Sequence, residues 1–352
     1  MKTLEVKASS KTYPIYIEKG LLGKAAQIIR GLYKGDKIGL ITDSNVDRLY
    51  ADALVKSMED LGLEVVKVVV SPGEGSKSIK TFEEVCERLL AGGVTRSDII
   101  VNLGGGVVGD LGGFVASALL RGIRFIQIPT SLLAQIDSSV GGKVAVNLPS
   151  GKNLVGSFYQ PEAVIIDPEL LRTLDIRFFR DGMAEVIKYA CIRDEGLFNL
   201  LEGNDEHTIV DHIEDIVETC CSIKRDIVEL DELDKGERML LNFGHTLAHA
   251  VEQYFNYERY THGEAVAIGM IHITRKGEQS GLSAKGTCSR LTGLVKKYNL
   301  PFEMPAMESQ SVIDTLLLDK KGSSRELSII LISEIGKGFM HTIDKSSLGE
   351  WI

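Results

Sequence analysis

The spacing of hydrophobic residues in the first half of the chain alternates between two patterns. Short apolar runs bounded by turn residues have the length of single buried strands: IGLIT from Ile38, LEVVKVVV from Leu63, DIIVNLGGG from Asp98 and FIQIPTS from Phe125. Amphipathic stretches separate these runs and predict helices near residues 44–60, 78–91 and 107–119. Strands that alternate with helices of this length favour a mostly parallel sheet with helices on both faces, whose ligands bind at the carboxyl ends of the strands.

After about Pro168 the strand pattern fades, and the 3.6-residue spacing of amphipathic helices takes over. The helical segments cover residues 181–202, 208–229, 237–256, 263–280 and 284–298. One late strand is predicted in LSIILIS (327–333), in a hairpin with GFMHTI (338–343). A chain of 352 residues is also long for a single hydrophobic core. We therefore predict an α/β, Rossmann-like N-terminal domain over 1–168 and a mainly α-helical C-terminal domain over 169–352.

Composition and charge narrow the class of partner. The formal net charge of -9 argues against nucleic acid, because binding to a phosphate backbone needs a clustered basic surface. An anionic small substrate stays open, since basic residues gathered in one cleft can focus a positive potential. MKTLEVKASS lacks the apolar core of a signal peptide and no apolar run reaches the length of a membrane span, so we expect a cytoplasmic protein. The five cysteines lack C-x-x-C spacing and are interpreted as reduced thiols.

Glycine-rich loops follow two of the predicted strands. LGGGVVGDLGG (103–113) leads from a strand into a helix, so its backbone N–H groups can face a pyrophosphate at the helix N-terminus. PGEGSKS (72–78) follows another strand and adds a lysine beside backbone amides. The first loop departs from strict G-x-G-x-x-G, and glycines needed only for close packing are the alternative. Two such loops at neighbouring strand ends favour a dinucleotide.

A third stretch combines hydroxyls, an acid and two lysines in an otherwise apolar and glycine-rich context. It consists of PTSLLAQIDSSVGGK (129–143) and GKN (151–153). Lysines in such a setting are costly to bury without an anion, which indicates anion binding. The alternative is a hairpin that carries solvated surface lysines.

Histidine and glutamate residues occur in three motifs of the helical half: GMAEVIK (182–188), LNFGHTLAH (241–249) and YTHGE (260–264). His245 and His249 are spaced i, i+4, so one helical face carries both imidazoles. Two histidines and a glutamate are the ligand types of an open catalytic zinc site. Spacing alone nominates His245 and His249 as ligands, with His262 or Glu252 as the third. Histidines that cap helices or lie satisfied in a polar core are the alternative.

Taken in order along the chain, several motifs resemble those of the 3-dehydroquinate synthase family: GGGVVGDLGGFVASALLRG, PTSLLAQIDSSVGGK, GKNLVGSF, GMAEVIKY, LNFGHTLAHA and HGEAVAIG. The resemblance covers nearly the whole chain. It implies a cytoplasmic homodimer with an N-terminal NAD-binding domain and a helical domain that binds metal and substrate. The implied reaction, that of a carbon–oxygen lyase of the shikimate pathway, converts the anionic sugar phosphate 3-deoxy-D-arabino-heptulosonate 7-phosphate to 3-dehydroquinate and phosphate. It proceeds by transient oxidation with NAD, phosphate elimination, re-reduction and intramolecular aldol closure.

The resemblance also implies roles for individual residues. The metal ligands, for zinc or cobalt, are Glu185, His245 and His262, whereas His249 faces the substrate phosphate and assists proton transfer. The implied cofactor contacts are Asp43, Glu74, Lys77, Gly105, Gly106, Asp110, Thr130, Ser131, Lys143, Lys152 and Thr173. The implied substrate contacts and catalytic residues are Asp137, Lys143, Lys152, Asn153, Lys188, Lys224, Arg238, Asn242, His249 and Lys320. Arg121 is expected to reach across the homodimer into the neighbouring site.

Departures from the family pattern are small, and three other functions stay open. Ser131 replaces the second threonine of the usual PTT and keeps the hydroxyl, and LDIRFF (174–179) replaces a proline-containing turn. A sugar-phosphate cyclase whose substrate lacks a carboxylate is disfavoured by Arg238 and Asn242 beside LNFGHT. A metal- and NAD-dependent polyol dehydrogenase is disfavoured by the many lysines among the substrate contacts. A non-catalytic NAD-binding regulator would not need the metal ligands, so a measurement of zinc content would distinguish it from the enzyme.

Overall fold

A seven-stranded sheet forms the centre of the N-terminal part of the computed structural model, which describes residues 1–308 and 325–351. The strands in chain order are β1 (Lys2–Lys7), β2 (Thr12–Ile17), β3 (Lys37–Asp43), β4 (Glu64–Val70), β5 (Ile99–Gly104), β6 (Arg124–Pro129), β7 (Lys143–Leu148), β8 (Gly151–Phe158) and β9 (Ala163–Ile166). β7 and β8 form a separate antiparallel hairpin. The order in the sheet is β1-β2-β9-β6-β5-β3-β4, and every neighbouring pair except β1–β2 is parallel.

Helices pack on both faces of this sheet. In chain order they are α1 (Ala25–Leu32), α2 (Ser44–Val46), which continues through a π-helical turn (Asp47–Ala51) into α3 (Asp52–Glu59), α4 (Ile79–Ala91) and α5 (Gly106–Ala118). In β5, Val101 lies in a core cluster with residues of α1 and α3, whereas the adjacent Ile100 lies in a second cluster with residues of α4 and α5. Because adjacent strand residues point to opposite faces, this arrangement confirms the predicted α/β fold class.

Several strands were not predicted from the hydrophobic pattern. β1 and β2 pair at the edge of the sheet, and in β1 only Val6 is fully buried. β9 has four residues, AVII, all buried. A run this short gives no measurable periodicity, and a half-exposed edge strand has little apolar content. β9 pairs with β2, a strand that lies far from it in the sequence.

Helices dominate the C-terminal part of the chain, as predicted. They are α6 (Ile176–Arg193), α7 (Glu195–Gly203), α8 (Ile213–Leu230), α9 (His245–Tyr254), α10 (His262–Gln279) and α11 (Thr287–Lys297). The predicted segment 181–202 is divided between α6 and α7, because Asp194 leaves the helical backbone and its carboxylate caps α7 by accepting a hydrogen bond from Leu197 N at 2.8 Å. β10 (Glu326–Glu334) and β11 (Lys337–Asp344) form the predicted late hairpin.

The chain forms two compact units. The first comprises Met1–Leu174 and Cys220–Leu233, and the second comprises Asp175–Thr219 and Asp234–Ile352. The domain boundary predicted at residue 168 places residues 220–233 in the second domain. The segment belongs to the first unit because of contacts such as those of Glu232, whose carboxylate accepts hydrogen bonds from Ser10 N and Gln160 Nε2, both at 2.9 Å. Partners this distant in sequence leave no local pattern.

The packing of α5 on β5 generates a first prediction. Gly112 lies against the buried side chain of Asn102, and a Cβ at Gly112 would overlap the Asn102 side-chain oxygen. We expect Gly112→Ala to lower stability by about 1–3 kcal/mol through overpacking, and the added Asn102→Ala to recover that loss. Thermal unfolding of wild type, both single variants and the double variant measures the coupling. A Gly112→Ala protein as stable as wild type would contradict this packing.

Candidate active site

Three helices bring one carboxylate and two imidazoles together in the second unit. Glu185 lies in α6, His245 begins α9 and His262 begins α10. His245 Nε2 is 3.5 Å and His262 Nε2 is 3.6 Å from Glu185 Oε1, and one ligand atom of each residue lies within 4.8 Å of the other two. Ligands of a tetrahedral metal with bonds of about 2.1 Å lie about 3.4 Å apart, so the group has the size of a metal site. It is the one such cluster in the described part of the chain.

Glycine allows α9 to begin in contact with α10. Gly244 has a φ of +80°, and a Cβ there would lie 2.6 Å from Met270 Cγ. From the α10 side, a Cβ at Gly269 would overlap the carbonyl oxygen of Gly244. The NFGHT motif therefore needs glycine for its left-handed backbone and for close approach. This approach brings His245 next to His262, with ring centroids 5.0 Å apart.

Each of the two histidines uses its Nδ1 for a second contact. His245 Nδ1 lies 3.2 Å from the carbonyl oxygen of Phe243, and His262 Nδ1 lies 3.5 Å from Glu252 Oε2. Outer partners of this kind fix the tautomer and ring orientation of a metal-binding histidine. Both rings therefore direct Nε2 toward Glu185.

The pair nominated by spacing alone is not joined in this cluster. The ring centroid of His249 lies 5.9 Å from that of His245 and 6.5 Å from that of His262. Glu252, the other candidate third ligand, faces the outer nitrogen of His262. Helical spacing places two side chains on one face but does not show where a second and a third helix meet that face. The geometry favours the ligand set implied by the family resemblance.

Buried charges surround the cluster. Glu185 and Lys188, one turn apart on α6, form an ion pair and are each 1% exposed. Burial lowers the pKa of His245 to about 3, which keeps the ring neutral at pH 7. Burial acts in the same direction on His262, but hydrogen bonds with Glu185 and Glu252 outweigh it and raise that pKa to about 10. A cation at Nε2 would replace the proton, because a ligating histidine is neutral, so the donor set fits a divalent metal.

In the first unit, the ends of parallel strands carry the predicted nucleotide loops. Gly105 follows β5 and is the N-cap of α5, and a Cβ there would lie 3.4 Å from the Ser131 hydroxyl in the loop after β6. A Cβ at Gly106 would lie 3.1 Å from the Ser138 hydroxyl. The backbone amides at the start of α5 are thus bordered by small polar side chains. This cradle fits a dinucleotide pyrophosphate.

Polar contacts join the second glycine loop to its neighbours. Lys77 Nζ donates to Asp110 Oδ2 on α5 at 2.5 Å, and Asn147 Nδ2 of β7 donates to Glu74 Oε1 at 2.7 Å. Burial acts to lower the pKa of Lys77, but the charges of Asp110 and Glu74 outweigh it and raise that pKa. Asn147 also accepts a hydrogen bond from Asn153 N at 2.9 Å. The loop, α5 and the β7–β8 hairpin therefore form one connected group.

Other predicted residues of the first unit have definite partners. Lys224 forms an ion pair with Asp137 and donates to its carbonyl oxygen at 2.6 Å. Asp43 caps α2 by accepting hydrogen bonds from Asn45 N and Val46 N, and Thr130 N donates to Gly104 O at 3.0 Å. The Thr173 hydroxyl contacts Tyr50 Oη. The predicted residues of the hairpin are Lys143, Lys152 and Asn153.

Apart from Arg121 and Lys320, the remaining predicted residues lie in the second unit. Arg238 is 2% exposed, and Asn242 borders a small cavity with Gly244 and Trp351. Arg121 belongs to the first unit, where it is exposed in the turn before β6. Lys320 lies outside the described residues.

Asp181, a buried residue of α6, is not among the site residues predicted from the sequence. Its Oδ1 accepts a hydrogen bond from Gly263 N at 2.5 Å, directly beside His262. The signal was present, because Asp181 immediately precedes the GMAEVIK motif and lies four residues, about one helical turn, before Glu185.

The fold is that of the sugar-phosphate cyclase class. A solved structure of 2-deoxy-scyllo-inosose synthase complexed with carbaglucose-6-phosphate, NAD+ and Co2+ matches with a TM-score of 0.88 and 27% identity over 99% of both chains. One of 2-epi-5-epi-valiolone synthase from Streptomyces hygroscopicus, with NAD+ and Zn2+ bound, matches with a TM-score of 0.87 and 25% identity over 100% of this chain and 98% of that one.

Sequence comparison identifies the family. Residues 67–181 match the model for the 3-dehydroquinate synthase N-terminal domain, and residues 182–322 match the model for its C-terminal domain. The 3-dehydroquinate synthase of Clostridium acetobutylicum is 51% identical over 100% of this chain and 99% of its own length. The chain belongs to the 3-dehydroquinate synthase family. Within the ranges that the structure covers, no helix combines the length and apolarity needed to span a bilayer.

The three-residue cluster generates a second prediction. We expect Glu185→Ala, His245→Ala and His262→Ala to lose Zn2+ on dialysis, with affinity reduced by more than the roughly 10–100-fold typical of removing an outer-shell partner. His249→Ala should retain the metal, since its ring is not in the cluster. Metal content and chelator competition measure both effects. Full zinc occupancy in His262→Ala would contradict the assignment, and loss of zinc in His249→Ala would favour the ligand pair nominated by spacing.

Proposed function

We propose that this chain catalyses the reaction of its family, the conversion of 3-deoxy-D-arabino-heptulosonate 7-phosphate to 3-dehydroquinate and phosphate. The observation that carries the proposal is the convergence of Glu185, His245 and His262 beside buried Lys188, in a chain whose relatives are 3-dehydroquinate synthases. The substrate has a carboxylate and a phosphate, so the enzyme needs several cationic side chains. The predicted substrate contacts include such cationic side chains: Lys143, Lys152, Lys188, Lys224 and Arg238.

We assign NAD and one divalent metal, zinc, as cofactors. Support comes from the glycine cradle at Gly105 and Gly106 and from the Glu-His-His donor set, together with the NAD+ and Co2+ or Zn2+ in the related cyclase structures. Bound there, the metal would supply Lewis-acid activation of substrate hydroxyls, and NAD would supply a reversible hydride acceptor. The protein contributes binding, orientation and control of protons.

Cationic side chains bind the substrate anions in this proposal. Lys224 holds Asp137 and is ready to exchange this partner for a substrate carboxylate or phosphate. Lys143 and Lys152 on the hairpin add two ammonium groups. In the second unit, Lys188 and the buried guanidinium of Arg238 can bind an anion, because burial strengthens a charge-assisted hydrogen bond.

His249 is proposed to hold and move a proton near the substrate phosphate. It lies one turn after His245 on α9, at the edge of the metal cluster and not within it. A neutral imidazole has one nitrogen that accepts a proton and one that donates a proton, which suits a step in which phosphate departs. Asn242, just before α9, is assigned a hydrogen bond to the substrate.

A homodimer in which Arg121 serves the neighbouring active site is the third part of the proposal. Leu120 and Arg121 have φ values of 51° and 70°, so two adjacent residues with side chains occupy the left-handed region. Each such residue costs on the order of 1–3 kcal/mol and persists where the position of a side chain matters. The exposed guanidinium is thus held out from the first unit by its own backbone.

Redox balance separates this function from a polyol dehydrogenase. We expect one phosphate released per 3-dehydroquinate formed, with no lasting NADH absorbance, because the hydride returns to the substrate that gave it. Phosphate assay and absorbance at the nicotinamide band, recorded on the same reaction, measure the two quantities. Steady NADH formation that matches substrate loss, without phosphate release, would support the dehydrogenase.

Subunit mixing tests the role of Arg121. Arg121→Ala and Glu185→Ala should each be inactive, but a heterodimer of the two contains one site with both residues intact. With random exchange, about a quarter of wild-type activity should return. A mixture of Glu185→Ala and His245→Ala is the matched control. It should stay inactive, because Glu185 and His245 of each site come from the same subunit, so every site in the heterodimer lacks one of them. Heterodimers without recovered activity would mean that Arg121 acts within its own subunit or not at all.

A further inference from the structure

Three side chains on one face of α6 contact three consecutive residues at the start of α10. The α6 residues are spaced by four, which places them in one row along the helix: Arg177, Asp181 and Glu185. Their partners on α10 are, in the same order, Glu264, Gly263 and His262. The row therefore aligns the first turn of α10 with the helix that supplies Glu185.

The first and last contacts of the row differ in kind. The Arg177 guanidinium binds the Glu264 carboxylate through two hydrogen bonds of 2.9 and 2.8 Å at the exposed end. Glu264 Oε2 also accepts a hydrogen bond from Thr261 N at 2.9 Å, as in a capping box. At the buried end, Glu185 faces the His262 ring. The exposed pair ties the helix start to α6 but does not contact the metal cluster.

The middle contact connects these two ends. Gly263 N is one of the amides that has no partner within α10, and Asp181 Oδ1 accepts its hydrogen at 2.5 Å. Asp181 is 9% exposed, and its backbone leaves no room opposite, because a Cβ at Gly263 would overlap the Asp181 carbonyl oxygen. The glycine of HGEA is thus required by contact with Asp181. The hydrogen bond to Asp181 Oδ1 therefore fixes the position of the Gly263 backbone N–H.

We propose that Asp181 is a positioning residue for the metal centre. By fixing Gly263 N, its carboxylate oxygen sets the backbone directly after His262 and so the distance between His262 Nε2 and Glu185 Oε1. The inference rests on the proposed function, because it takes Glu185, His245 and His262 to be metal ligands. Asp181 itself binds no metal in this assignment.

Two variants separate the position of the Asp181 oxygen from its charge. Asp181→Asn keeps an acceptor oxygen at the same distance from the backbone and removes the charge. Asp181→Glu keeps the charge and moves the oxygen by one methylene. Asp181→Ala removes both. Asp175→Ala is the matched control, because Asp175 is the N-cap of α6 and its carboxylate accepts a hydrogen bond from the backbone N of Arg177, within α6 itself, at 2.8 Å.

Zinc affinity of the full chain, measured by competition with a chromophoric chelator, is the readout. We expect Asp181→Ala and Asp181→Glu to weaken Zn2+ binding about 10–100-fold, as for other outer-shell partners, and Asp181→Asn and Asp175→Ala to stay within a few fold of wild type. Circular dichroism and thermal unfolding of the metal-free variants monitor the fold. Should Asp181→Ala fail to fold, the comparison of Asp181→Glu with Asp181→Asn decides the question.

The outcomes distinguish this inference from the proposed function. Wild-type affinity in Asp181→Ala or Asp181→Glu, with zinc binding still lost in Glu185→Ala, would overturn the positioning role alone. Weak binding in Asp181→Asn with strong binding in Asp181→Glu would also overturn it, since charge and not position would then matter. Zinc binding that is unaffected by Glu185→Ala would overturn the metal site itself.

Discussion

The close approach of α10 to α6 and α9 is the constraint on which the ligand cluster depends. The three helices contribute one candidate ligand each, and two of those residues, His245 and His262, are the first residues of their helices. The approach is permitted by glycine at each contact: Gly244 and Gly269 between α9 and α10, and Gly263 against Asp181 of α6. A side chain at any of these positions would overlap backbone or side-chain atoms, and the ligands would separate.

The position of His262 at the start of α10 has a second physical consequence. The first turn of a helix has amide donors without internal partners, and here carboxylates accept two of them, Thr261 N by Glu264 and Gly263 N by Asp181. The same carboxylates are anchored in or bound to α6. The helix start that carries His262 is therefore held by hydrogen bonds and not only by apolar packing.

The first unit uses glycine in a different way. At the start of α5, the glycines lie beside the hydroxyls of Ser131 and Ser138. Further along α5, Gly112 and Gly113 allow the helix to pack against Asn102 of β5 and Val144 of β7. The sequence left two hypotheses for this glycine-rich motif, approach of a ligand and close packing. The glycines at its beginning fit the first hypothesis, and those at its end fit the second.

Sequence by itself determined the fold class, the main strands and helices, and the family, because periodicity and motif order are local properties of the chain. The motifs also contained every member of the three-residue cluster, but spacing alone nominated His245 and His249 with His262 or Glu252, and only the resemblance implied Glu185. Tertiary structure alone decided that His245 and His262 turn Nε2 toward Glu185, that residues 220–233 belong to the first unit, and that Asp181 holds Gly263. These features depend on contacts between residues tens to hundreds of positions apart, for which spacing along one helix or strand carries no information.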